Sequence, residues 1–127
     1  MAEESRRARV LVVDDDPDVG ASLTRLLAAR GFDVSRAEDA AGARAVAAAS
    51  PGRIDVLVSD LVLANGNGIE VAGEVRRTSP CARVVLTSGL VRDPTDLAHL
   101  FDDGMEFVER DVGTDALLAA VERAARH

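Results

Sequence analysis

Acidic side chains follow two apolar segments of this sequence. Asp14–Asp16 come directly after the run Val10–Val13, and Asp60 follows Ile54–Val58 with one serine between them. An isolated carboxylate at the end of a buried strand is unfavourable, so we expect a cation or a cationic partner beside it. A set of carboxylate oxygens suits Mg²⁺, which binds one or two carboxylates and shares other ligands with phosphate groups. These residue types therefore predict a divalent-cation site.

Further polar side chains stand at corresponding places later in the chain. Thr87 directly follows the apolar run Val84–Leu86, and Arg110 follows Met105–Val108 with one glutamate between them. If these runs are parallel strands, their carboxyl ends meet at one edge of a sheet, where ligands bind in folds of this kind. We therefore expect carboxylates, a hydroxyl and a guanidinium to converge in one crevice.

Short apolar runs alternate with amphipathic segments along the whole sequence. The runs are Val10–Val13, Phe32–Val34, Ile54–Val58, Val84–Leu86 and Met105–Val108. Between and after them lie five segments with helical spacing, represented by Val19, Ala43, Ile69, Leu97 and Leu117. Valine-rich runs are typical of parallel strands that are buried on both faces. The alternation predicts an α/β fold: one doubly wound, flavodoxin-like (βα)5 domain with strand order 2-1-3-4-5.

Helix ends carry their own signals. Asp16 followed by Pro17 predicts a helix that starts at the proline, so we assign Asp16 to capping rather than to metal binding. Gly31 is expected to end that helix, and Asp39 is expected to cap the next one. The same cap and proline signal recurs at Asp93-Pro94.

Composition excludes several classes of function. The chain has 127 residues and a net charge of −7, which argues against direct binding of nucleic acid or of an anionic membrane. No apolar run approaches the ~18 residues that a membrane span needs. The one cysteine, Cys81, cannot form an internal disulfide and fits a reducing compartment, so we expect a cytoplasmic protein.

Other phosphate-handling folds fit less well. No Gly-x-Gly-x-x-Gly turn follows the first run, and a chain without lysine cannot contain a P-loop. A phosphohydrolase with an aspartyl nucleophile needs a second aspartate two residues later as general acid, and that position is Val62. A small phosphatase-like enzyme stays an alternative that sustained turnover of a phosphate ester would support.

From Arg9 to Ala125 the sequence resembles the receiver domain of bacterial two-component response regulators. The segments that carry the resemblance are Val10–Pro17, Asp55–Leu61, Asn67–Glu70 and Val85–Gly89. Two others, Pro51–Asp55 and Phe107–Arg110, are most similar to receivers attached to hybrid sensor histidine kinases. The resemblance implies a phosphorelay signalling domain rather than an enzyme with turnover.

The resemblance also implies a metal site and a phosphoacceptor. Asp60 is expected to accept a phosphoryl group from a histidine kinase or a histidine phosphotransfer protein. Asp15, Asp60 and the backbone carbonyl of Val62 are expected to ligate Mg²⁺ (or Mn²⁺), with Asp14 acting mainly through bound water.

Three more residues receive roles from the resemblance. Thr87 and Arg110 are expected to contact the phosphoryl group and so to complete the catalytic set with Asp60. Thr87 and Phe107 are expected to form the switch that changes position on activation.

Two features depart from the family pattern. Arg110 and Asp111 stand where the family has lysine and proline, which leaves a pseudo-receiver as the alternative: an interaction module that is not phosphorylated. The segment Ala64–Asn67 lacks the usual proline, and we expect it to be flexible because asparagine and glycine tolerate many backbone angles.

The expected domain organisation is simple. Residues 1–8 are expected to form a flexible tail, and residues 9–127 the receiver domain, with no output domain. Signal output would then pass to a downstream protein through the face formed by the fourth helix, fifth strand and fifth helix. We also consider a homodimer.

Overall fold

A five-stranded parallel sheet lies at the centre of the structure, with helices on both faces. The structure is a computed structural model that describes residues 7–49, 53–88, 102–109 and 113–126. The strands of the sheet are β1 (Arg9–Val13), β2 (Asp33–Ala37), β3 (Val56–Asp60), β6 (Arg83–Ser88) and β7 (Met105–Glu109). The helices in the described ranges are α1 (Pro17–Ala29), α2 (Ala40–Ala49), α3 (Gly68–Arg76) and α4 (Thr114–Ala125). Two short strands, β4 (Val62–Leu63) and β5 (Gly66–Asn67), form a separate antiparallel hairpin.

The order of strands across the sheet is β2-β1-β3-β6-β7, and all neighbouring pairs are parallel. Because β4 and β5 lie outside this sheet, the order is the 2-1-3-4-5 arrangement that the sequence predicts. The chain adds β2 on one side of β1 and then β3 on the other, so the carboxyl ends of β1 and β3 adjoin at the switch point. The α/β flavodoxin-like fold is confirmed.

The strand residues divide between two hydrophobic clusters because successive side chains point to opposite faces. Leu11 and Val13 join the cluster on the face that α2 and α3 cover, while Val10 and Val12 join the cluster under α1 and α4. All four side chains are fully buried. The central strands are therefore packed on both faces of the sheet, as the continuous apolar runs predict.

The helix signals at Asp16-Pro17, Gly31 and Asp39 are confirmed. Asp16 Oδ1 accepts from the backbone amide of Asp18 at 3.0 Å, and Pro17 is the first residue of α1. Gly31, with φ of 94°, follows the end of that helix. Asp39 Oδ1 accepts from the backbone amide of Gly42 at 2.8 Å in the first turn of α2.

Each of the five strands differs from its apolar run at one end or both, and the contacts of β3 and β2 show why. Ile54 is buried but precedes β3, and its backbone amide donates to Ser79 Oγ at 3.2 Å. The strand consequently starts at Val56 and includes Asp60 as its last residue. Strand β2 extends to Ala37 rather than ending at Val34, because the polar residues in between still pair with β1 at the edge of the sheet.

The β4–β5 hairpin interrupts the strict alternation of strands and helices that the sequence predicts. Only Ala64 and Asn65 connect its two strands. The flexibility expected of the segment Ala64–Asn67 stays a prediction. The helix expected after Asp93-Pro94 lies outside the described residues. In the ranges that the structure covers, no helix has the length and apolarity of a membrane span.

Candidate functional site

Three carboxylates meet at the carboxyl ends of the two central strands. Asp14 and Asp15 follow β1, and Asp60 ends the adjacent strand β3. One carboxylate oxygen from each residue lies within 4.8 Å of the other two. Asp14 is buried, Asp60 is half-buried and Asp15 is exposed, so the cluster reaches from the sheet edge to solvent. The predicted convergence of these three side chains is found.

Backbone amides orient two of the carboxylates. The amide of Asp16 donates to Asp14 Oδ1 at 2.8 Å, which closes a tight turn between β1 and α1. The amide of Ala64, at the tip of the hairpin, donates to Asp15 Oδ2 at 2.9 Å. Both side chains are therefore directed by main-chain groups, which are fixed by the fold.

Asp60 and Thr87 are neighbours across the sheet. Their Cα atoms are register partners in the pairing of β3 with β6. The amide of Leu61, the next residue, donates to the carbonyl oxygen of Thr87 at 2.7 Å, and Thr87 itself is buried. The parallel sheet thus brings the carboxylate and the hydroxyl residue to one position at its edge.

Gly68, the first residue of α3, packs against the backbone of Asp60. A methyl group at Gly68 would lie 2.8 Å from the Asp60 carbonyl oxygen and 2.7 Å from Leu86 Cδ2, which are both too close. The Gly68 amide donates to the Leu61 carbonyl oxygen at 2.9 Å. Close approach of α3 to the end of β3 therefore requires glycine at this position.

The donor set fits a hard divalent cation. Three carboxylates this close repel each other, and a divalent cation neutralises that repulsion. Carboxylate oxygens without histidine or cysteine are typical ligands of Mg²⁺. Among the histidine, cysteine, aspartate and glutamate residues in the described ranges, no other group of three comes as close together.

The other predicted site residues are Val62, Phe107 and Arg110. Val62 is in β4, with 42 % of its surface exposed, two residues beyond Asp60. Phe107 is in β7 and packs, half-buried, against the cluster of apolar residues under α2 and α3. Arg110 and Asp111 lie outside the described residues.

A groove between α1 and α4 opens beside the carboxylates. Asp14 and Thr87 border it at one end. Its apolar wall is formed by Val19, Leu23, Leu26 and Leu117. Leu26 is 41 % exposed, which is unusual for a large apolar side chain in this structure.

Sequence reasoning assigned no role to Ala64 or Gly68. Ala64 acts through its backbone amide, so its side chain carries no signal. Gly68 belongs to the segment Asn67–Glu70 that carried the resemblance, and its lack of a side chain next to a helix cap was the available signal.

The sequence is similar to that of known bacterial regulatory proteins. The chain is 35% identical over 118 residues to the transcriptional regulatory protein KdpE of Mycobacterium tuberculosis, which covers 92% of this chain and 50% of KdpE. The chain thus spans half the length of that curated relative.

Solved structures give the same result. The receiver domain of the hybrid histidine kinase CckA is similar with a TM-score of 0.78 and 27% identity, over 93% of this chain and 99% of that domain. The response regulator TrrA of Thermotoga maritima, solved in complex with Mg²⁺-BeF, has a TM-score of 0.77 and 27% identity, over 92% of this chain and 98% of TrrA.

Residues 10–122 match the family model of the response regulator receiver domain. That match includes both central strands, the carboxylates at their ends and Thr87. The relatives are bacterial response regulators, whose receivers are signalling domains. Its fold, its site and this match show that the chain belongs to the receiver domain family of two-component response regulators.

Proposed function

We propose that this receiver domain accepts a phosphoryl group on Asp60 and thereby switches its contacts with other proteins. The observation that carries the proposal is the cluster of Asp14, Asp15 and Asp60, whose oxygens lie within 4.8 Å of one another beside Thr87. A histidine kinase or a histidine phosphotransfer protein is the proposed donor.

In the proposed transfer a carboxylate oxygen of Asp60 attacks the phosphorus of a phosphohistidine. A bond forms between that oxygen and phosphorus, and the bond from phosphorus to the imidazole nitrogen breaks. The electron pair stays on the imidazole, which takes up a proton from water. Asp60 suits this role because the backbone of β3 and the contact with Gly68 fix its position at the sheet edge.

Asp15, Asp60 and the Val62 carbonyl are the proposed ligands of Mg²⁺ (or Mn²⁺), with Asp14 acting through water. When bound, such a cation neutralises the carboxylates and the oxygens of the incoming phosphoryl group. The carboxylate cluster and the Mg²⁺-BeF complex of the related TrrA support this proposal.

Thr87 and Arg110 are proposed to donate to the phosphoryl oxygens, and Thr87 with Phe107 to form the switch. The buried position of Thr87 beside Asp60 supports its part in both roles. A guanidinium at position 110 would offer two donors to two phosphoryl oxygens.

The proposed output surface includes β7 and α4, the fifth strand and fifth helix of the sequence prediction. The third member, the fourth predicted helix, lies outside the described residues. A downstream protein is the proposed occupant of this surface, and a homodimer is a separate candidate assembly. The domain bounds 9–127 stay a prediction. Ala8, the last residue of the predicted tail, contacts the domain, since its carbonyl oxygen accepts from the Asp33 amide at 3.0 Å.

The test is incubation with acetyl phosphate and Mg²⁺, followed by intact mass measurement. The wild type should gain one phosphoryl group that hydroxylamine removes, and Asp60→Asn should gain none while its circular dichroism spectrum is unchanged. Asp16→Asn is the matched control, because asparagine caps α1 equally well and residue 16 is no proposed ligand.

Two other outcomes would contradict the proposal. A wild type that gains no phosphoryl group from acetyl phosphate or from a phosphorylated histidine phosphotransfer protein would be the pseudo-receiver. Sustained release of phosphate from an ester would instead identify a phosphatase-like enzyme.

A further inference from the structure

Two asparagine-glycine pairs lie next to the carboxylate site, and their side-chain hydrogen bonds differ. Asn65-Gly66 lies at the turn of the β4–β5 hairpin, and Asn67-Gly68 lies at the start of α3. The glycine after an asparagine leaves its backbone nitrogen unhindered, which makes this dipeptide prone to spontaneous deamidation. From the contacts of the two pairs we propose that Asn65 is a deamidation site in the folded protein and that Asn67 is protected.

Asn67 is held at every atom that the reaction must move. Its Oδ1 accepts from the amide of Glu70 at 2.9 Å, and its Nδ2 donates to Glu70 Oε1 at 2.9 Å. The attacking nitrogen would be that of Gly68, which donates to the Leu61 carbonyl oxygen at 2.9 Å and belongs to a buried residue. Attack therefore requires the helix cap and the start of α3 to open first.

The side chain of Asn65 has no such restraint. It is exposed, and it makes no hydrogen bond within the described part of the chain. Gly66 follows it with φ of 147°, a backbone angle that side-chain-bearing residues rarely adopt. The Asn65 side chain can therefore turn toward the Gly66 nitrogen without breaking a side-chain contact.

The proposed reaction needs only water. The Gly66 nitrogen attacks Cγ of Asn65, the bond from Cγ to Nδ2 breaks, and the proton lost by the attacking amide leaves with the ammonia. Water then opens the cyclic imide: its hydroxyl adds to one of the two carbonyl carbons, and its hydrogen returns to the nitrogen. The products are aspartate or isoaspartate at position 65.

The product changes the charge next to the carboxylate cluster. A new carboxylate appears beside Ala64, the residue whose amide donates to Asp15. The isoaspartate form also lengthens the main chain between Leu63 and Gly66, which are register partners in the hairpin. The modification itself does not depend on the proposed phosphoryl transfer.

Ageing of the full chain in mildly alkaline buffer tests the proposal. One tryptic peptide, residues 54–76, contains both asparagines, so fragmentation measures their deamidation in the same sample. In the folded protein Asn65 should react at least about tenfold faster than Asn67, because local opening limits only the latter. In concentrated urea the two rates should become similar.

Two variants sharpen the comparison. Glu70→Ala removes the acceptor of the Asn67 amide and should raise the rate at Asn67. Asn65→Gln should abolish reaction at position 65, since the larger ring forms slowly. Equal rates at the two asparagines in the folded protein, or faster reaction at Asn67, would overturn the proposal, as would an Asn65 that stays intact when the urea sample has reacted.

Discussion

The backbone amide of Ala64 donates a 2.9 Å hydrogen bond to Oδ2 of Asp15, although 49 positions separate the two residues in the sequence. This bond joins the tip of the hairpin to the loop that follows β1. The exposed carboxylate of the cluster is consequently oriented by a segment that comes after β3. The geometry of the cluster therefore depends on the hairpin as well as on the sheet.

Divalent cations should stabilise the protein through this cluster. At 100 times its dissociation constant, Mg²⁺ should raise the free energy of unfolding by about 2.7 kcal/mol. Asp15→Asn should lose most of this increase and should be more stable than the wild type in chelator, because one repelling charge is gone. Thermal unfolding followed by circular dichroism is the measurement, since the chain has no tryptophan or tyrosine.

Asp15→Ala separates charge from hydrogen bonding in that experiment. Asparagine keeps an oxygen that can accept from the Ala64 amide, whereas alanine does not. The alanine variant should therefore be the less stable of the two in chelator. Identical unfolding curves of the wild type in Mg²⁺ and in chelator would contradict the metal site.

Gly68→Ala should lower the free energy of unfolding by about 1–3 kcal/mol, since its methyl group would overlap the Asp60 carbonyl oxygen. Gly73→Ala is the matched control in the same helix, where nothing lies within 4 Å of the added methyl group. That change should raise the free energy of unfolding by about 0.5–1 kcal/mol. Urea unfolding of both variants checks the pair, and equal effects would show that the contact with Asp60 is loose.

The pair of Arg76 and Asp102 should give a pH-dependent contribution to stability. The hydrogen bond from Arg76, at 2.5 Å, lowers the pKa of Asp102 below its ordinary value of 3.8, while burial acts in the other direction. A lowered pKa in the folded state means that the contribution is present above the ordinary value and is lost as the pH falls through the lowered one.

Asp102→Asn should therefore lower the free energy of unfolding at neutral pH by only about 0.2–1 kcal/mol, because the aspartate is half exposed. The difference from the wild type should disappear at a pH below the lowered pKa. Urea unfolding at both pH values is the measurement, with Asp103→Asn as the control. A difference that persists in acid would mean that the charge of Asp102 is not its cause.

Loss of the phosphoryl group should be slow in the wild type and faster in Val62→Asn, if the proposed function holds. Hydrolysis needs a water in line with the bond to Asp60, and valine can neither donate to that water nor accept from it. Val62→Ala is the control, since it opens space without adding a polar group. Decay of the phosphorylated mass with time should be several-fold faster in the asparagine variant alone; equal acceleration by alanine would show that space, not orientation, controls the water.

Hydrophobic patterning was sufficient to predict the sheet. The five apolar runs became its five strands in the expected order, because a parallel strand buried on both faces leaves a continuous apolar signal. The boundaries of β2 were less accurate. Ser35 and Arg36 pair with β1 at the sheet edge, where one side of the strand meets solvent and polar side chains are tolerated.

Residue types also predicted the carboxylate cluster, since topology alone brings the ends of β1 and β3 together. The contacts that orient the cluster were beyond sequence reasoning. The Ala64 amide is a main-chain donor that any residue offers, and the hairpin that presents it has strands of two residues each, too short for a periodic pattern. The expected roles of Val62, Phe107 and Arg110 stay predictions.

The two central strands give the carboxylate cluster a preorganised geometry. Strands β1 and β3 are paired on both sides and packed on both faces. The backbone positions of Asp14, which follows β1, and of Asp60, which ends β3, are therefore fixed relative to each other. The entropic cost of bringing these ligands together is met when the protein folds, so binding of a cation needs no rearrangement of the strands. The proposed cation site would therefore select by size. Ca²⁺ prefers flexible sets of about 6–8 oxygens, whereas this small set, open to solvent on one side, would suit the smaller Mg²⁺, which retains several waters.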